Sequence, residues 1–195
     1  DVAAALVAEV VDSGTVLDPA CGSGVFLLAA ARRLLGNGVA DRGSIVRRHL
    51  FGSDVDPASV EATRRILGAW AGVESDEVSG VVMADPLHDA TDPWPGRPTH
   101  GFDAVVGNPP FLGQLRSSTA GTGADRAVLR ERFGDLVGAY TDVAWLFLAL
   151  GLEVLAPGGR MLLIQPQSLL AARDAGPVRD RLLTAGRLTG LWLDR

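Results

Sequence analysis

The sequence predicts an α/β fold: a doubly wound, mostly parallel sheet with helices on both faces, formed as a single domain over residues 1–195. Three observations predict it. Short apolar runs of strand character alternate with helical stretches along the chain, the pattern of a parallel sheet covered on both sides. The first predicted strand runs straight into Asp18-Pro19-Ala20-Cys21-Gly22-Ser23-Gly24, and a helix follows at once, as in the nucleotide-binding corner of doubly wound folds. Asp18, Asp54 and Asp85 end three consecutive predicted strands, and ligands bind at the carboxyl ends of such strands.

Each element follows from local pattern. Residues 2–11 are apolar at helical spacing and read as a helix. Residues 15–18 form a short buried strand, and residues 25–35, rich in Ala and Leu, a helix ended by Gly36. Residues 36–44 read as a loop and 49–54 as the second strand. Pro57 stands at a helix first turn, and residues 58–70 continue that helix. Residues 81–85 form the third strand, the Pro/Gly-rich stretch 93–101 a loop, and 102–107 the fourth strand, ending at Asn108. Residues 112–125, rich in Gly, Ser and Thr, suit a mobile segment, and 124–133 a short helix. Residues 141–155 form a strongly apolar helix closed by Pro157-Gly158-Gly159. Its Trp145 and Phe147, like Trp70, Trp94 and Trp192 elsewhere, read as packing residues. Residues 160–164 form the fifth strand, 177–185 a helix and 188–193 the sixth strand. No repeat or linker marks a second domain, and a seventh strand is not evident.

Composition sets bounds. Hydrophobic residues make up 47% and charged residues 21%, so a packed core is expected. No apolar run reaches membrane-spanning length, no signal pattern opens the chain, and Cys21 is the single cysteine, which together favour the cytoplasm. Neither the lone cysteine nor the histidine spacing suggests a metal site. The net charge of −5 argues against the whole domain being an electrostatic glove for nucleic acid, though not against one basic face. All 18 basic residues are arginines, which reads as codon bias.

The glycine loop is shorter than a dinucleotide fingerprint, and an acid leads it. Gly22 and Gly24 let the backbone approach a ligand with no Cβ in the way. Asp18 suits a ligand with an ammonium group better than a pyrophosphate. Asp54 can accept from both ribose hydroxyls, and is preferred to Asp56, which lies beyond the strand end. Asp85 can accept from an adenine amino group, although Asp85-Pro86 is also a common turn start. Cys21 reads as a small packing residue with no histidine placed to activate it. The residues expected to bind a nucleoside cofactor are Asp18, Ala20, Cys21, Gly22, Gly24, Asp54, Val55, Asp85 and Pro86.

Asn108-Pro109-Pro110-Phe111 carries the expected catalysis. An exocyclic amine on a base or amide is a poor nucleophile, because its lone pair is delocalised. Two acceptors aimed at its hydrogens, the Asn108 side-chain oxygen and the Pro109 carbonyl, draw the nitrogen toward tetrahedral geometry. The two prolines fix the backbone at little entropic cost. Phe111 can stack on the flat face of the target. No general base is needed before attack, so positioning carries most of the catalysis. The alternative is a rigid turn after a strand.

The Asp18–Gly24 run followed by Asn108-Pro109-Pro110-Phe111 resembles the N6-adenine DNA methyltransferases in their gamma order, as in type I modification subunits and fused type II restriction–modification enzymes. Gly52-Ser53-Asp54-Val55-Asp56-Pro57 resembles that family's ribose-binding segment, and residues 140–164 the stretch after its catalytic loop. The resemblance implies a class I, Rossmann-like fold using S-adenosylmethionine, DNA with a flipped adenine as substrate, and a specificity, nuclease or helicase domain or subunit as partner. It also implies a target-recognition region, which is not found, so a catalytic fragment clipped at both ends is expected. A missing region would supply many phosphate contacts. Arg116, Arg126, Arg130 and Arg132 are candidate strand contacts, each of which also reads as part of a solvated helix face. The segment 112–125 is a candidate to order around the flipped base. Two other functions fit the motifs: N-methylation of ribosomal RNA guanine or of a release-factor glutamine, and a non-catalytic cofactor-binding scaffold. Glutamine enzymes typically carry Tyr where this chain has Phe111.

Overall fold

The structure is a computed structural model that describes residues 2–89, 92–111 and 123–193. The chain divides into two compact units, one of Asp1–Pro109 with Val154–Ile164, the other of Pro110–Glu153 with Gln165–Arg195. No helix among the described residues is long and apolar enough to cross a membrane.

The first unit holds a five-stranded sheet in the order β3-β2-β1-β4-β5, every neighbouring pair parallel. The strands are β1 (Val16–Asp18), β2 (Leu50–Asp54), β3 (Val81–Met83), β4 (Phe102–Gly107) and β5 (Leu155–Leu163). The chain starts at the centre, runs out to β3, then returns to the other side of β1 as β4. That reversal between β1 and β4 is the switch point of a doubly wound α/β fold, where a crevice opens at the carboxyl ends of the strands.

Four helices belong to this unit: α1 (Val2–Ala8), α2 (Val25–Gly36), α3 (Arg42–Arg48) and α4 (Pro57–Ala71). Strand residues alternate between faces. Val16, Leu50, Ala104 and Val106 join Val7, Leu27, Leu34, Ile45, Val60 and Leu67 of the helices in one buried cluster. Their register neighbours Leu17, Phe51 and Val105 are buried on the opposite face. There the Phe102 ring lies 5.2 Å from Phe51 and meets Trp94 edge-on at 5.7 Å. Helix α4 starts where its sequence directs: Asp56 caps the Ala58 and Ser59 N–H groups, Pro57 takes the first turn, and Gly72 at φ 72° ends it.

The second unit contains α5 (Gly123–Phe133), α6 (Val143–Val154, whose last residue falls in the first unit), α7 (Ser168–Ala171) and α8 (Gly176–Ala185). Arg179 ties α8 to α7 by donating to the Leu169 and Ala172 carbonyls. Arg132 and Arg181 both approach the Glu153 carboxylate, at 3.7 and 3.6 Å.

Several expectations need correction. Residues 188–193 form no strand, and Leu188, Leu191, Trp192 and Leu193 are exposed, so Trp192 is not a packing residue. Alternating leucines carry no strand without a neighbour to accept the ladder bonds. The stretch 36–44 ends inside α3, which a loop reading missed; the Asp41 carboxylate caps it by accepting the Ser44 N–H and hydroxyl. Strand β3 stops at Met83, so Asp85 stands beyond it. Strand β5 begins at Leu155, not 160. Leu155 pairs with Phe102 and Arg160 with Ala104, so Pro157-Gly158-Gly159 bulges out of a strand rather than capping a helix. The segment 112–122 lies outside the described residues, as does Arg116.

At the opposite edge of the sheet, Gly14 has φ 79° and a Cβ there would collide with Asp103. The Asp103 carboxylate accepts both the Thr15 N–H (2.7 Å) and the Thr15 hydroxyl (3.0 Å), joining β1 to β4. Gly14→Ala is expected to cost about 3–4 kcal/mol: roughly 1–2 for the left-handed backbone and about 1 for each of the two displaced hydrogen bonds. Urea denaturation checks this, and a midpoint unchanged from the parent would show that the contact does not hold the strands.

Candidate active site

The glycine loop leaves β1 at Asp18 and reaches α2 at Gly24. Three side chains fix it from neighbouring elements. Ser53, fully buried in β2, donates its hydroxyl to the Pro19 carbonyl at 3.0 Å, while its own carbonyl accepts the Cys21 N–H at 2.8 Å. The Asp54 carboxylate accepts the Gly22 N–H at 2.9 Å and the Asp56 N–H at 2.9 Å. Thr63 of α4 donates its hydroxyl to the Gly22 carbonyl at 2.8 Å. Gly22 and Gly24 adopt φ 51° and 77°, which L side chains rarely do. A Cβ at Gly24 would also fall 2.9 Å from Thr63.

Asp18 is 1% exposed. Its Oδ1 accepts the Ala20 N–H at 3.1 Å. Burial pushes its carboxyl up to about 7; the Ala20 N–H opposes this and the nearby Asp54 charge adds to it. Burial, with Asp18 and Asp54 beside it, also pushes the Cys21 thiol up to about 12, which favours the protonated form.

The Asn108 loop leaves β4 at Gly107, beside β1. Gly107 has φ 155°, and a Cβ on it would lie 2.5 Å from the Asp18 Oδ1. The end of β4 therefore closes on the Asp18 carboxylate, and Asn108 emerges exposed from that contact while Pro109 is buried. The Gly107 carbonyl accepts the Ile164 N–H at 3.0 Å, which holds it on the β5 side. The unit boundary follows Pro109; Pro110 and Phe111 belong to the second unit and are half-buried.

The first unit thus brings Asp18, Ala20, Cys21, Gly22, Gly24, Asp54, Asn108 and Pro109 to one edge of the sheet. Val55 is exposed beside Asp54. The Ala84 N–H bonds the Asp54 carbonyl at 3.1 Å, so Asp85 and the buried Pro86 follow directly. Asp85 is engaged in its own turn: Oδ1 accepts the Leu87 and His88 N–H groups, and Oδ2 lies 2.8 Å from His88 Nδ1. Asp56 is a helix cap, as its place beyond the strand suggested. Of the arginines in α5, Arg130 donates to the Val137 carbonyl and Arg132 lies over the Phe133 ring, while Arg126 is exposed. Sequence reasoning missed Ser53, Thr63 and Gly107. Gly107 carried a signal, a glycine ending a strand just before the motif; Ser53 lay inside the segment resembling a ribose-binding one without a role of its own, and Thr63 carried no signal.

Comparison with known proteins places this geometry. The model of the family described as N-6 DNA Methylase matches residues 2–191. The chain is similar to the type I restriction enzyme MjaIX methylase subunit of Methanocaldococcus jannaschii, 34% identical over 109 residues, covering 54% of this chain and 17% of that protein. It is 30% identical over 181 residues to the type II methyltransferase M.XhoI of Xanthomonas vasicola, covering 84% of this chain and 30% of the relative. The type I restriction-modification system methyltransferase subunit from Streptococcus thermophilus shares the fold at a TM-score of 0.64 and 22% identity, over 94% of this chain and 37% of that one. The chain spans less than a third of the length of these curated relatives. With a family model matched along nearly its whole length, over the glycine loop of β1 and the Asn-Pro-Pro-Phe loop of β4 alike, the chain belongs to the N-6 DNA Methylase family.

Proposed function

We propose that this chain is the catalytic region of an adenine-specific DNA methyltransferase, moving a methyl group from S-adenosylmethionine to the N6 amine of adenine within a restriction–modification or related phage-defence system. The observation that carries the reading is the meeting of the two motif loops: Gly107, at the root of Asn108, lies against the Asp18 carboxylate at the root of the glycine loop.

The cofactor's chemistry fits the residues present. S-adenosylmethionine supplies an electrophilic methyl on a sulfonium and carries an ammonium. Among the described residues, the groups acting on Asp18 are the Ala20 N–H and the Asp54 carboxylate, and neither is a cation. An ammonium would offset the burial of that carboxylate. Gly22 and Gly24 leave the loop surface free of Cβ atoms, and the exposed Val55 offers apolar cover beside Asp54. The Asp54 carboxylate keeps lone pairs for ribose hydroxyls beyond the two it uses on backbone N–H groups. Asp85 would meet the adenine amine of the cofactor.

Asn108 Oδ1 and the Pro109 carbonyl would accept the two hydrogens of the target amine and localise its lone pair toward the methyl. The bound cofactor would supply the methyl and keep the electron pair of the broken S–C bond, and the methylated amine held by Asn108 and Pro109 would release its extra proton to solvent. Phe111 would stack on the target base. DNA is the expected partner, with a specificity, nuclease or helicase domain or subunit supplying sequence recognition; the methylase subunit of a type I restriction enzyme among the relatives supports this.

Product identification tests the reading. The native protein carrying this chain is incubated with labelled S-adenosylmethionine and unmodified duplex DNA, with ribosomal RNA and release factor in parallel. N6-methyladenine in DNA is expected. Label in RNA guanine or protein glutamine would overturn the substrate while keeping the Asn108 chemistry.

Two further outcomes are expected. Asn108→Ala should lower methyl transfer on the order of 10²-fold or more, as for loss of a preorganised polar contact, with cofactor affinity retained by calorimetry. Full activity in that variant would remove Asn108 from catalysis. Cofactor affinity should also depend on pH. With the Asp18 carboxyl at about 7, most free protein carries its proton at pH 6 and must lose it to meet an ammonium. Affinity should therefore rise about fivefold from pH 6 to pH 7 and flatten in Asp18→Asn. The unliganded protein should show the converse: the raised pKa gives stability that is full below the unfolded value of 3.8 and is lost as pH rises through about 7. A flat affinity profile in the parent would show that no cation meets Asp18.

A further inference from the structure

Helix α4 buries Val60, Thr63 and Leu67 along one stripe. Helical spacing makes position 63 a core position, where a β-branched hydroxyl residue is a poor helix former and gains nothing from its oxygen. A threonine inside a helix commonly bonds the carbonyl one turn back. This one does not: its hydroxyl, on a fully buried side chain, donates to the Gly22 carbonyl at 2.8 Å, across 41 positions of chain. The same side chain occupies the space that a Cβ on Gly24 would need. Asp54 takes the N–H of Gly22. Both polar groups of the Gly22 residue are thereby bound by side chains from outside the loop.

We infer that Thr63 is a positioning residue for the cofactor: it sets the tilt of the peptide following Gly22 and so the face that the glycine loop presents to the methionine end of S-adenosylmethionine. This rests on the proposed cofactor role of the loop. The hydroxyl anchors the carbonyl, and Oγ1 and Cγ2 alike lie where a Cβ on Gly24 would sit. The stripe itself is satisfied by any side chain of this shape, so fold and cofactor make separable demands on the position.

The experiment compares the parent protein with Thr63→Val, which keeps the shape and removes the hydroxyl, and Thr63→Ser, which keeps the hydroxyl. S-adenosylhomocysteine binding is measured by calorimetry and the thermal midpoint by circular dichroism. Thr63→Val is expected to bind at least tenfold more weakly, with a midpoint no more than a few degrees below the parent's. Thr63→Ser is expected to stay within about threefold of the parent. In the active native protein the Val variant should raise KM for S-adenosylmethionine and leave kcat at saturation within twofold. Equal binding by Val and parent would overturn the inference, and so would equal weakening in Val and Ser, which would assign the effect to packing. Absence of binding by the parent would instead overturn the cofactor reading of the loop, and the Thr63 assignment with it.

Discussion

Burying a carboxylate costs several kcal/mol unless hydrogen bonds or an opposite charge offset it. Asp18 is buried at the end of the central strand, with the Ala20 N–H on one side and the Cα of Gly107 against it. The carboxyl edge of the sheet is arranged around that group. Its raised pKa expresses the cost directly. A residue with any side chain at position 107 would push the carboxylate out or move the end of β4, and Asn108 would move with it. The short β1, only three residues long, succeeds as the central strand because all three are buried between β2 and β4.

The three acids at the strand ends look alike in the sequence and differ in the structure. Asp54 organises backbone, holding the Gly22 and Asp56 N–H groups from one carboxylate. Asp85 folds its own turn and lies against His88. Asp18 has one backbone partner and lies in a nearly solvent-free position. Of the three, only Asp18 is desolvated with little compensation. The ammonium reading therefore has more physical support than the ribose or adenine readings, which share their acceptors with the loop architecture.

Much of this was legible in the sequence because the responsible interactions are local. Pro57 after Asp56 announces the start of α4, and 102–107 is an uninterrupted strand pattern matched by β4. The glycine loop is legible because positive φ demands glycine at Gly22 and Gly24. What stayed hidden depends on partners distant in sequence. Ser53 and Thr63 look like ordinary polar residues until Pro19 and Gly22 are brought next to them. Strand β5 was misjudged because Leu155 pairs with Phe102 before the chain bulges, and nothing local tells a helix cap from a bulge in Pro157-Gly158-Gly159. The segment 188–193 shows the reverse error: its local pattern suits a strand, but no described strand pairs with it.

The two loops are tied from opposite directions. The glycine loop is bound to β2 and α4 through Ser53, Asp54 and Thr63. The root of the Asn108 loop is bound to β5 through the bond from the Ile164 N–H to the Gly107 carbonyl. Each loop is anchored away from the other, and the Asp18 carboxylate lies against Gly107 where they approach. An in-line transfer needs donor and acceptor held within a few tenths of an ångström, because near-attack geometry supplies much of the rate. Each half hangs from its own neighbours, and the two approach where the Asp18 carboxylate lies against a residue without a side chain, Gly107. A glycine, and not the neighbouring asparagine, carries the steric constraint: Gly107 absorbs the packing and Asn108 is left exposed.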